Sequence, residues 1–182
     1  PARSQYRIAW RAMAANTGER TLIPAIIPPG TAHVNGVFAA RPRDSDGRQV
    51  LRTAGTVGAL VSDFLVRVAP KSGIYQATFE RLPELSLTAL DPNLVLRSGR
   101  LNALTGTFVD LWDEAFEPDF NEDVWTRTPL GSTVQIGDVA RSWTSKTPLR
   151  LASERRQAQL EIDAIVALSL GLTADELCEI YR

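Results

Sequence analysis

The chain is poor in the residues from which metal sites and nucleophilic centres are built, with one cysteine (Cys178), one histidine (His33) and one methionine in 182 residues. A lone cysteine forms no disulfide within the chain, and a zinc site made of Cys and His needs about four such ligands. A Ser-His-Asp triad would have to recruit His33, and no other pattern points to it. No apolar run approaches the roughly 18 residues of a membrane span. There is no glycine-rich dinucleotide or phosphate fingerprint and no HExxH pair. Pro1 to Gln5 show neither an initiator Met nor a signal-peptide pattern, so the sequence is expected to be a piece of a longer cytoplasmic polypeptide rather than a secreted protein. With 44% hydrophobic and 23% charged residues, disorder, coiled coil and collagen are excluded.

Charge is balanced overall and uneven along the chain. Residues 1–71 carry ten basic side chains against four acidic ones, about +6, and residues 72–182 carry ten against seventeen, about −7. The basic set is 18 Arg to 2 Lys, and Arg is suited to bidentate phosphate and guanine contacts. A GC-rich coding sequence gives the same bias without any polyanion. If the bias is functional, the arginine-laden opening third is expected to form one electropositive wall facing a duplex.

Tyr6, Ile8 and Trp10 fall on alternate positions with Arg7 and Arg11 nearby and predict a strand over 6–14, followed by a turn at Asn16, Thr17 and Gly18. Thr21 to Ile27 predicts a second strand antiparallel to the first, and Pro24 inside it implies an edge or a bulge. His33 to Ala40 is a third candidate strand, and Arg41 to Arg48 an irregular, basic loop. Val57, Leu60, Val61, Phe64, Leu65 and Val68 predict an amphipathic helix over 53–68. Ile74 to Phe79 reads as a short strand. Asp91-Pro92 reads as a capped helix start, with a helix of about five turns closed by Pro118. Residues 119–150 are irregular. Ser153 is expected to cap a further helix that Gly171 ends, and Thr173 with Glu176 forms a capping box for a last one. The fold class is therefore α+β, with mostly β residues 1–88 and mostly helical residues 89–182 packed on them. The four tryptophans are expected in the core, with Trp125 and Trp143 as possible interface residues.

The acidic stretch Asp119, Glu122, Asp123 is the sole nuclease-like pattern, and no Lys follows it at catalytic spacing. Glu161 and Asp163 are two apart, so they point to different faces and are expected to pair with Arg155 or Arg156 rather than bind a metal.

Residues 7–30, RIAWRAMAANTGERTLIPAIIPPG, resemble the opening of the target-recognition region of bacterial adenine-specific DNA methyltransferases of the fused restriction–modification and BREX or DISARM phage-defence types. The resemblance continues through GALVSDFLVR (58–67), ERLPEL (80–85), LRSGRLNALTGTFVDLW (96–112) and ERRQAQLEIDAIVALSLGLTADELCEIYR (154–182). In such enzymes an upstream domain carries an Asn-Pro-Pro-aromatic catalytic loop and uses S-adenosylmethionine. This sequence has no such loop, so the resemblance implies the specificity part without catalytic, metal-binding or cofactor-binding residues of its own. Its implied partners are double-stranded DNA and the upstream methyltransferase domain of the same chain, with no membrane.

A methyltransferase that flips one adenine needs a separate surface to grip the flanking duplex. Arg7, Arg11, Arg20, Arg67 and Lys71 are the candidates for phosphate contacts. The loop from His33 to Arg48, with Asn35, Arg41 and Arg43, is the candidate for base contacts. Each has a structural alternative. Arg7 and Arg11 can face water or pair with Glu19, Arg20 can pair with Glu19 or Asp63, Arg67 can offset a helix C-terminus, and His33 can be a turn residue. A protein–protein interaction module is the rival expectation, with the acidic helical part docking a neighbouring domain.

Overall fold

Side chains alternate along β1 (Arg7–Arg11), sending Ile8 and Trp10 into the core and Arg7, Ala9 and Arg11 to the other face of the sheet. β1 is the centre of a three-stranded antiparallel sheet, with β2 (Pro24–Ile27) on one side and β3 (Val37–Ala40) on the other. Register pairs Ile8 with Ile26 and with Ala40. The computed structural model describes residues 2–14, 17–43, 45–69, 73–86 and 88–182. Asn16, expected in a turn, lies outside them.

β2 is an edge strand, as Pro24 implied, and its edge is closed chemically. The Ile26 amide, which points away from β1, donates to Asn102 Oδ1 at 3.1 Å. Pro24 and Pro28, the outward positions on either side, have no amide to offer.

Among the described residues seven helices follow: α1 (Gly47–Gly58), α2 (Leu60–Val68), α3 (Gln76–Phe79), α4 (Asp91–Asn102), α5 (Val109–Ala115), α6 (Ala152–Ser169) and α7 (Ala174–Tyr181). The fold is α+β, with helices α1, α2 and α3 already inside residues 1–88. Ile8, Trp10 and Ile26 share one core with Val50 and Leu51 of α1, Leu96 of α4, and Leu111 and Trp112 of α5. Trp10, Trp112 and Trp125 are buried and Trp143 is half-buried. Among the described residues, no helix is long and apolar enough to cross a membrane.

Four expected elements differ. The helix expected over 53–68 is two helices broken at Ala59, because buried Asp163 of α6 accepts the Leu60 amide at 2.7 Å and starts α2 afresh. Ile74 to Phe79 is not a strand. Ile74 extends the sheet by one bond to Ala12, and the chain then turns helically so that Phe79 stacks on Trp10 at 3.9 Å. The long helix to Pro118 stops at Asn102. Trp143 Nε1 takes the Ala103 carbonyl and Arg150 the Leu104 carbonyl, the groups a continuing helix would have used. Ser153 is not a cap; it lies in the first turn of α6 and donates to Leu130 O, while Leu151 holds the cap position. Gly171 and the Thr173–Glu176 capping box stand as the sequence implied.

The irregular segment after α5 is organised by two buried arginines of α4. Arg97 donates to Glu161 and Asp123, and these acids hold its guanidinium above its ordinary pKa although burial alone would lower it. Arg100 has no direct ion pair among the described residues. Its guanidinium donates to the carbonyls of Gln135, Ile136, Lys146 and Thr147, and burial pulls its pKa down.

Candidate nucleic-acid interface

β2 and β3 both run antiparallel to β1 on opposite sides of it, so they are parallel to each other and their connection must travel the length of β1. Residues 28–36 make that crossing over the face of the sheet that bears Arg7, Ala9 and Arg11, forming a strap. Gly30 and Gly36, at φ +80° and +103°, turn the chain at its two ends, a backbone region that costs glycine nothing and other residues strain. The Gly30 amide donates to Arg3 O at 2.7 Å, and Gly36 O accepts the Ala12 amide at 2.7 Å. Next to Gly30, Arg7 Nη2 donates to Thr31 O at 2.6 Å. Arg7 and Ala9 are each only 6% exposed, although both point away from the core.

The outside of the strap is open to solvent. His33, Val34 and Asn35 are all exposed, with Val34 at 79%. Arg3, also exposed, lies at one end and half-buried Arg11 at the other. This cluster sets a planar ring and an amide, on a short loop anchored at both ends, between two cations outside it, a donor and acceptor set suited to base edges and phosphates.

The other candidates have different surroundings. Arg7 is a buried anchor rather than a surface cation. Arg20 donates to Asp163 at 2.5 Å, with its side chain 9% exposed. Arg41 turns back onto Ser45 and Tyr6 O. Arg48 pairs with Asp91 at 2.6 Å and also with Glu117. Arg67 bridges Asp63 and the carbonyls of Gly18 and Glu19. Arg43 is exposed, with no ion pair among the described residues. It stands past the end of β3 beside a cleft of about 530 Å³, away from the strap tip. Lys71 lies outside the described residues.

The expected electropositive wall is therefore not formed as one surface. Arg20 and Arg48 are neutralised by carboxylates from the acidic part of the chain, and Arg52 joins Arg48 on Asp91 at 2.5 Å. Asp91 is consequently an ion-pair hub and not the helix cap its sequence context implied. Glu19 pairs with Arg156, which holds its carboxyl below the usual range, and so serves neither Arg7 nor Arg11. Glu161 and Asp163 go to Arg97 and Arg20 instead of Arg155 and Arg156. Asp123 of the acidic stretch is held by Arg97.

The sequence reading named His33 and Asn35 as candidates, and the structure leaves both exposed on the strap; it named neither the strap nor Arg3 beside it. The glycines at 30 and 36 bracket it, yet the crossing follows from which strands pair, and no local pattern carries that. In comparisons with family models, curated proteins and solved structures nothing matches the chain, so its function is argued from this geometry.

Proposed function

We propose that the chain is the DNA-binding target-recognition part of a bacterial restriction–modification or phage-defence adenine-N6 methyltransferase, working in the cytoplasm and noncatalytic alone. An upstream domain of the parent would bind S-adenosylmethionine and carry out methyl transfer. The observation that carries the proposal is the pinned strap, which presents His33 and Asn35 outward between Arg3 and Arg11. Recognition needs polar groups held on a rigid support, and the sheet beneath supplies one. Arg3 and Arg11 would set position on phosphates, and His33 and Asn35 would meet base edges. The many internal arginine pairs leave a small cationic footprint, so binding by the chain alone is weak, roughly 10⁻⁴ to 10⁻⁶ M.

Fluorescence anisotropy with a labelled duplex at two salt concentrations tests this. Affinity is expected to fall with salt and to drop further when Arg3 and Arg11 are both changed to Ala. Affinity indifferent to salt would overturn the proposal. In the full-length enzyme, the double variant His33→Ala with Asn35→Ala should relax the methylated motif.

A second reading has its own support. Val34, Met13 and Tyr75 are 79%, 69% and 53% exposed near the same end of the sheet, an apolar group suited to a protein partner. If Val34→Asp abolishes association with the upstream domain while leaving DNA affinity unchanged, the strap is a domain-docking element.

A further inference from the structure

A second cleft, of about 600 Å³, opens between β2, α1, α4 and the start of α6. Its walls are mostly aliphatic, with Leu22, Ile26, Ala54, Leu101 and Ile162 among them, and no aromatic other than buried Phe108. Arg20, Arg155 and Arg156 stand around it. The closed edge of β2 bars an added strand from this groove, since Ile26 N is already taken by Asn102. The volume suits a small molecule.

Three features give the cleft a preference for negative charge. Arg155 has no carboxylate partner among the described residues and spends Nη1 on the carbonyls of Leu101 and Leu149. Arg20 Nη1 and Ser98 Oγ, both on residues lining the cleft, are buried without a hydrogen-bond partner, and Ser98 is 1% exposed. Buried polar groups are nearly always satisfied, so two orphans at one cavity point to a missing partner. Ala152, the first residue of α6, is part of the wall, which places the positive end of an 18-residue helix beside it.

We infer that this cleft binds a small amphipathic anion, a short aliphatic body carrying one carboxylate or phosphate head that meets Arg155, Arg20 and Ser98. The inference is independent of the DNA reading and concerns a different face of the molecule.

Isothermal titration with octanoate and with octyl phosphate tests it and separates the two head groups. Octanol and inorganic phosphate serve as body-only and head-only controls. Saturable binding of either anion at one site per chain is expected. Arg155→Met should weaken it about ten-fold, the size of one charge-assisted hydrogen bond. Gln159→Trp, a partly exposed change at the wall, should block binding with the melting temperature unchanged, so the result does not depend on Arg155→Met folding well. The inference is overturned if neither anion saturates, if octanol binds as tightly as the anions, if inorganic phosphate binds as tightly as octyl phosphate, or if Gln159→Trp binds normally.

Discussion

Arg20 and Asp163, 143 residues apart in sequence, meet at 2.5 Å. The same carboxylate accepts the Leu60 amide at 2.7 Å and the Tyr181 hydroxyl at 2.7 Å. One buried acid on α6 thus ties down the chain before β2, the start of α2 and the end of α7. Asp163→Asn keeps the shape but leaves the Arg20 charge buried and unpaired. A loss of about 3 kcal/mol in urea unfolding is expected, because removing one partner of a buried pair costs more than the pair contributes. A loss below about 1 kcal/mol, the usual value of an exposed pair, would show that Arg20 finds water instead.

Tyr181 supplies a pH-dependent version of the same link. Burial, then its hydrogen bond and proximity to Asp163, push its pKa up from 10.0 to about 12. A folded-state pKa above the unfolded one means the contribution is complete below about pH 10 and is lost as pH rises through about 12. The amides of 174–181 should therefore exchange faster relative to the core across that window in the native protein, and Tyr181→Phe should show no such step. A phenol titrating near its ordinary value would contradict the contact.

The pairing of Arg20 with Asp163, and of Arg48 and Arg52 with Asp91, changes the meaning of the uneven linear charge. From sequence, +6 facing −7 looked like a surface awaiting a polyanion. Part of it is instead two halves of one fold neutralising each other. Local signals were legible where the physics is local: Pro24 marks an edge, Gly171 a helix end, Thr173 and Glu176 a cap. What was not legible depends on partners distant in sequence. Asp91 beside Pro92 looks like a cap until Arg48 and Arg52 arrive, and the 53–68 helix looks continuous until Asp163 reaches Leu60.

Arg43 and Arg48, grouped together in the sequence, are consequently expected to behave differently. Arg48→Ala removes a partly buried partner of Asp91 and should lower stability by about 1–2 kcal/mol, within the ordinary range for a lost charged hydrogen bond. Arg43→Ala, exposed and without an ion pair among the described residues, should leave the unfolding midpoint within about 0.5 kcal/mol of native. Equal destabilisation by the two would place Arg43 in the folded network. A loss of DNA affinity with Arg43→Ala, at unchanged stability, would extend the interface beyond the strap.

Arg100 tests whether an arginine with no direct ion pair among the described residues can be a structural centre. Its fork serves carbonyls at 135, 136, 146 and 147 from within α4. Lysine keeps the charge but has three donors on one compact head in place of a planar fork, so it leaves at least one of the four carbonyls unpaired. Arg100→Lys is expected to cost about 2–4 kcal/mol. Limited proteolysis should cut first within 135–149 while α1 and the sheet stay intact. If the lysine variant is as stable as the native chain, the carbonyls are satisfied by solvent and the segment does not depend on Arg100.

The strap makes the sharpest demand on the DNA reading, because Arg7 supports the recognition tip without belonging to it. Arg7→Met keeps most of the buried stem and removes the donor to Thr31 O. The sheet keeps its ladder, so global stability should fall by about 1 kcal/mol, the usual worth of one hydrogen bond. The strap, however, loses its anchor at Thr31, beside the Gly30 turn, and keeps those at Gly30 and Gly36. Protease cleavage should appear between residues 31 and 35 and DNA affinity should drop. Restoring the donor with Arg7→Lys should recover part of both. If affinity instead stays native while the strap becomes cleavable, His33 and Asn35 do not read DNA, and the exposed Val34 side chain becomes the better guide to what this face meets.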